Sequence, residues 1–278
     1  MTHNRGQLLT LLEEAGITLS RALGQNYVAD PNTVRRIARL AGVAPGDPVV
    51  EIGAGLGSLT LALVEAGATV VAVEADRRVA AVLAQLVATH PVQVVVQDAM
   101  TMAWADQLVP NAEGRPWSLV SNLPYNIAAT LVLDVLERVP AVQSMLVMVQ
   151  REVAERLAAP PGSKVYGIPS VKLRWWAEAA VVGRVPATVF IPQPRVESAL
   201  LRVRRRPPPA TAQPREQVFA LVEQAFRQRR KMLRRSLSDR PGFESAATRA
   251  GVRPEARPEE LSLAEWVALA EELARPAD

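Results

Sequence analysis

Five short apolar runs, residues 48–52, 69–73, 93–96, 117–120 and 144–149, recur along the chain, and stretches of helical period, 58–66, 77–87 and 127–136, separate them. Alternation of buried-strand and helix signals confines a chain to an open, doubly wound, mostly parallel α/β sheet with helices on both faces. Such sheets bind ligands in the crevice beyond the carboxyl ends of their strands. The residues that follow each run are therefore the ones to read for chemistry.

The first run leads into Glu51-Ile52-Gly53-Ala54-Gly55-Leu56-Gly57. Glycines at alternate positions let backbone approach a ligand closely at a helix N-terminus, where free N–H groups favour polar or anionic partners. The spacing is not Gly-x-Gly-x-x-Gly, which argues against a dinucleotide. Glu51 itself is as well suited to capping nearby backbone N–H groups as to touching a ligand. The second run ends in Glu74, about twenty residues beyond the first glycine, where a carboxylate can accept from both hydroxyls of a ribose. The third ends at Gln97-Asp98, and a carboxylate there can accept from an adenine amino group. A solvated acid at a strand end is the plainer reading of Glu74.

The fourth run ends in Ser121-Asn122-Leu123-Pro124-Tyr125-Asn126. Asn122 brings a carbonyl oxygen that can accept from an amino group, Pro124 stiffens the turn, and Tyr125 offers a flat face to a base. An ordinary strand-to-helix turn uses the same residue types. Glu51, Glu74, Asp98 and Asn122 are thus expected along one edge of the sheet, near the tips of four successive strands.

Upstream, Leu23-Gly24-Gln25-Asn26-Tyr27-Val28 precedes a helix over 31–41, with Asp30 placed to cap it and Pro31 in its first position. Downstream, Phe190-Ile191-Pro192-Gln193-Pro194 is a proline-broken loop, with Phe190 either stacking on the second face of a base or packing at the rim. After Arg204-Arg205-Arg206-Pro207-Pro208-Pro209 the pattern turns wholly helical, which divides the chain into a domain 1–206 and a helical domain 207–278. Within the latter, residues 216–226, 228–237 and 262–274 read as helices, the last with Ser262 and Glu265 as a capping box. Arg227, Arg229, Arg230, Lys231, Arg234 and Arg235 crowd together with no acid among them. A basic helix of this kind suits phosphates, and a solvated charged face is its alternative.

Composition narrows the chemistry. The 278 residues include no cysteine and only two histidines, His3 and His90, which removes disulfides, thiolate catalysis and cysteine-ligated zinc and argues against metal-dependent or imidazole catalysis. Charges interrupt the first sixteen residues, so no secretory signal is expected, nor any membrane span, and the expected location is cytoplasmic.

Together, Leu23-Gly24-Gln25-Asn26, the 51–57 turn, Glu74, Asp98, Asn122-Leu123-Pro124-Tyr125, Phe190 with its proline-spaced loop, and Gln228-Arg229-Arg230-Lys231 resemble the ribosomal RNA adenine dimethyltransferases, most closely the bacterial small-subunit enzymes. The resemblance implies a class I methyltransferase fold using S-adenosyl-L-methionine and no metal. It implies four methyl transfers to N6 of two adjacent adenosines in a hairpin near the 3′ end of 16S rRNA, within an immature 30S subunit; nothing in the sequence demands an oligomer, so a monomer is expected. Asn26, Val28, Gly53, Glu74, Asp98 and Asn122 would contact the cofactor. Asn122, Leu123, Pro124, Tyr125 and Phe190 would hold the target base, and Arg229, Arg230, Lys231 and Arg234 would bind RNA. The chain departs from the family pattern at Tyr27, Val28 and Ile168-Pro169, the last within a segment expected to be helical. A large-subunit adenine methyltransferase, an assembly factor that binds immature subunits, and a methyltransferase for small molecules or proteins are the competing readings.

Overall fold

The computed structural model describes residues 2–18, 26–108 and 114–275, so Leu23, Gly24 and Gln25 lie outside the described residues. The chain divides into two compact units, residues Met1–Ala154 with Ala180–Arg205, and Glu155–Ala179 with Arg206–Asp278.

In the first unit, α1 (Arg5–Glu14), β1 (Tyr27–Val28) and α2 (Pro31–Ala41) lead into the alternation β2 (Pro48–Ile52), α3 (Ser58–Glu65), β3 (Thr69–Glu74), α4 (Arg77–Leu86), β4 (Val92–Val96), α5 (Trp104–Gln107), β5 (Trp117–Asn122), α6 (Ala128–Arg138) and β6 (Val142–Gln150). Asp30 caps α2 by accepting from Asn32 and Thr33 N–H, with Pro31 in the first turn, as the sequence predicts. After α7 (Arg151–Ala158) and α8 (Ile168–Trp176), β7 (Ala177–Val185), β8 (Phe190–Ile191) and β9 (Ser198–Arg205) complete the strands. The sheet order is β4-β3-β2-β5-β6-β9-β7, parallel from β4 to β6, with β9 antiparallel to β6. Every residue of β2 is buried, as expected of a central strand covered on both faces.

The order of strand addition reverses beside β2: β3 and β4 are laid down on one side, and β5 and β6 on the other. That reversal is the switch point at which a doubly wound sheet opens a crevice. The ladder between β2 and β5 is short, pairing Val49 with Ser118 and Val50 with Leu119. Beyond it, Ile52 N–H donates to Ser121 Oγ at 2.8 Å, so a hydroxyl satisfies the backbone where the two strands part. A separate two-stranded sheet pairs β1 with β8 antiparallel, Tyr27 opposite Ile191 and Val28 opposite Phe190.

The second unit is helical and is drawn from two passes of the chain. α8 comes from the earlier pass. α9 (Arg215–Phe226), α10 (Leu233–Ser236), α11 (Phe243–Arg249) and α12 (Leu263–Ala274) come from the later one. Tyr166, Trp175, Val218, Val222, Leu233 and Trp266 share its core, with Trp175 and Phe219 in edge contact at 5.5 Å. The sequence reading, with one break near residue 206, places residues 155–179 in the first domain. The structure assigns them to the helical unit, because their apolar face is covered by α9 and α12. Pro169 sits in the first turn of α8, where its missing N–H costs no helical bond.

Residues 228–237 are not one helix. α9 ends at Phe226, residues 227–231 form turns closed by Arg229 N–H to Phe226 O and Lys231 N–H to Gln228 O, and α10 spans only four residues. Cations three and four positions apart, such as Arg227 with Arg230 and Lys231, disfavour continuing the helix.

Candidate active site

A cavity of about 400 Å³ opens at the carboxyl ends of β4, β3, β2 and β5. Asn26, Val28, Gly53, Glu74, Asp98, Asn122, Leu123, Pro124 and Tyr125 all line it. Glu74 and Asn122 are the last residues of their strands, and Asp98 follows β4 by two positions.

Asn122 is held from one side. Its Nδ2 donates to the Asn26 carbonyl at 2.8 Å, while Oδ1 is buried with no hydrogen-bond partner among the described residues. A buried amide oxygen left unpaired costs about 1–3 kcal/mol, so a fold that keeps one has a donor in waiting. Pro124 lies over the glycine turn: a Cβ built on Gly53 would meet Pro124 Cδ at 3.6 Å. Tyr125 Oη and Ser198 Oγ are 2.6 Å apart, which fixes the ring from its far end. Burial raises the Tyr125 pKa, so the phenol stays neutral, and the residue lines the cavity.

The glycine turn is closed by an aromatic ring. Gly55 has φ +57°, and a Cβ there would lie 2.8 Å from Tyr27 Cε1, so the turn admits no side chain beneath Tyr27. Burial, followed by the charges of Glu74 and Asp76, raises the Tyr27 pKa. Glu74 holds the turn from the next strand, Oε2 accepting from Gly55 N–H at 2.9 Å and Oε1 from Asp76 N–H at 3.0 Å. Each carboxylate oxygen keeps a second acceptor site for a hydroxyl.

Glu51 is 2 % exposed and accepts from Thr60 Oγ1 at 2.6 Å. Burial pushes its pKa up to about 8; the Thr60 bond opposes this and the Glu74 charge adds to it. Burial thus favours the protonated carboxyl, and the Thr60 bond ties it to α3 beneath the turn. Tyr27, which lines the cavity, and Thr60, which supports it through Glu51, are among the residues that sequence reasoning missed as part of the site. Tyr27, an aromatic between two expected cofactor contacts, was the available signal, whereas nothing in local spacing pairs Thr60 with Glu51.

Phe190 is elsewhere. It is fully buried, in the core cluster that holds Val28, Ile37, Val185 and Leu200, and it does not line the cavity. An apolar ring gains about 2–3 kcal/mol by such burial and has no polar atom to hold it at a wet mouth. The Phe190 side chain thus supports β1 and its Val28 from behind. In the helical unit, Arg230 and Lys231 are exposed, Arg234 pairs with Glu255 at 3.2 Å, and Arg229 lies 3.5 Å from Glu259. Acids distant in sequence thus offset part of the basic run, which the sequence reading left uncompensated.

Glycine turn, ribose-ready acid and an orphaned amide oxygen suit a nucleoside cofactor on one side and an amino group on the other. The family model described as "Ribosomal RNA adenine dimethylase" matches residues 17–275. The chain belongs to the ribosomal RNA adenine dimethylase family. The chain is 49 % identical over 269 residues to "Ribosomal RNA small subunit methyltransferase A" of Kineococcus radiotolerans, covering 94 % of this chain and 88 % of that one. It is 47 % identical over 265 residues to the protein of that name from Thermobifida fusca, covering 94 % and 92 %. Among solved structures, the 23S rRNA methyltransferase ErmE superposes with a TM-score of 0.68 at 28 % identity, covering 90 % of this chain and 100 % of that one. A dimethyladenosine transferase from Plasmodium falciparum, at 20 % identity and TM-score 0.69 over 86 % and 94 %, shares the fold. The family member described here is accordingly a class I, S-adenosylmethionine-dependent rRNA adenine N6,N6-dimethyltransferase with a helical appendage.

Proposed function

We propose that this dimethylase acts on 16S rRNA in an immature 30S subunit, in the cytoplasm and as a monomer, converting two adjacent hairpin adenosines to N6,N6-dimethyladenosine by four transfers. The observation that carries the reading is the buried Asn122 Oδ1, unpartnered in the lining of the nucleoside cavity. Identity of 45–49 % with small-subunit methyltransferases, against 28 % with the 23S enzyme, favours the small-subunit RNA.

The adenine N6 lone pair is delocalised into the ring and is a poor nucleophile. Asn122 Oδ1 and the Leu123 carbonyl accept from its two N–H groups and turn the lone pair out of the ring plane. Tyr125, fixed through Ser198, stacks on the extruded base and offsets an unstacking cost of roughly a few kcal/mol. Glu74, Gly53, Val28, Asn26 and Asp98 hold S-adenosylmethionine, which supplies an electrophilic methyl on sulfur. Positioning then contributes much of the rate, since no strong base is at hand. The methylated amine is acidic enough to lose its proton to water. Arg230 and Lys231 bind RNA phosphates from the helical unit.

Mass spectrometry of small-subunit RNA from cells lacking this chain tests the reading. Two adjacent unmodified adenosines are expected; an unchanged dimethyladenosine content would refute it.

A further inference from the structure

Arg229 is already engaged. Its Nη2 donates to the main-chain carbonyl of Lys164, and its Nε faces Glu259 Oε2 at 3.5 Å. The same segment is fastened twice more. Gly162 N–H donates to Glu259 O at 2.6 Å, and fully buried Tyr166 donates its hydroxyl to Leu261 O at 3.0 Å. Residues 160–166 are thereby clamped onto the 227–231 turn and the 259–261 segment, all within the helical unit.

Within the clamped segment Lys164 is exposed. Among the described residues no carboxylate pairs with Lys164, Arg230 or Lys231. Val165 and Met232, 40 % and 41 % exposed, lie beside them in sequence, so the patch mixes uncompensated cations with apolar surface. A basic loop that served solubility alone would not need three backbone-anchored fastenings to hold one lysine.

We infer that Arg229 is a positioning residue rather than a phosphate ligand, and that its bracket adds Lys164 to Arg230 and Lys231 as a contact for the RNA backbone. This rests on the RNA-binding reading of the helical unit. Arginine suits the role because separate nitrogens of its planar fork donate to the Lys164 carbonyl and face the Glu259 carboxylate, whereas a lysine brings a single nitrogen on a flexible stem.

Each cation that neutralises a phosphate contributes about 0.7–0.9 to the slope of log affinity against log salt. The test is filter binding of a synthetic RNA hairpin with two adjacent loop adenosines to the full chain across a salt series. Lys164→Ala and Lys231→Ala are each expected to flatten the slope by about 0.7–0.9. Arg229→Lys, which keeps the charge and loses the Arg229 fastening while leaving those of Gly162 and Tyr166, should flatten it by part of the Lys164→Ala change, and adding it to Lys164→Ala should change nothing further. A wild-type slope in Lys164→Ala with a flattened one in Lys231→Ala would overturn the inference and leave the RNA-binding reading standing. A wild-type slope in Arg229→Lys would overturn the bracket. Unchanged slopes in both lysine variants would remove the RNA-binding surface itself.

Discussion

Asn122 and Asn26, 96 residues apart, are joined by a 2.8 Å hydrogen bond from side-chain nitrogen to main-chain oxygen. The bond fixes which end of the Asn122 amide faces the cavity and leaves Oδ1 as an acceptor without a donor. Asn122→Ala is expected to lower methyl transfer by at least about 10²–10³, the usual effect of deleting one preorganised polar contact to a reacting group. RNA affinity should stay within a few-fold. Tritiated-methyl transfer and filter binding on one preparation check both, and wild-type turnover would end the assignment.

Gly55→Ala puts a methyl group 2.8 Å from Tyr27 Cε1 at a φ of +57°. Both strain and displacement follow, at about 1–3 kcal/mol. Calorimetric titration with S-adenosylmethionine should show weakened binding, and Gly55→Ala combined with Tyr27→Ala should recover part of it. Full wild-type affinity in the single variant would show that the ring does not close the turn.

Burial lifts the Glu51 pKa from 4.5 to about 8. Between those values the unfolded chain has released a proton that the native chain still holds, so stability falls as pH rises through this window. Glu51→Gln keeps an acceptor for Thr60 and abolishes the titration. Melts at pH 5 and pH 8.5 should therefore show the variant gaining on the wild type at the higher pH, by up to roughly 3–5 kcal/mol. A constant gap would mean that Glu51 is ionised in the native state.

Phe190→Ala is expected to cost about 3–5 kcal/mol of stability, because a fully buried ring is removed. Phe190→Leu, closer in volume and without an aromatic face, should fold and retain turnover. Urea unfolding and methyl-transfer assays separate the two roles: a well-folded leucine variant with abolished transfer would restore the ring to the base.

The sheet was legible because strands buried on both faces read as apolar runs, and 48–52 and 31–41 match β2 and α2 end to end. The cavity residues were legible for a related reason, since the strand tips in this topology converge whatever lies between them. Phe190 and residues 228–237 were not. An aromatic beside prolines carries no signal for which way its ring turns, and the acids that face Arg229 and Arg234 lie beyond residue 250. Residues 155–179 went to the wrong side of the boundary because apolar periodicity shows that a helix has a buried face but does not name its cover.

The two-pass construction of the helical unit has a consequence for biosynthesis. Trp175 leaves the ribosome about ninety residues before Trp266, a core residue of the same unit, which is on the order of 5–20 s at ordinary elongation rates. Until α9 emerges to cover them in part and α12 completes the cover, Tyr166, Val171 and Trp175 lack their native partners, and truncation at residue 206 would make that lack permanent. A chain cut there is therefore expected to aggregate, and sizing of the soluble fraction on expression of residues 1–206 would check it.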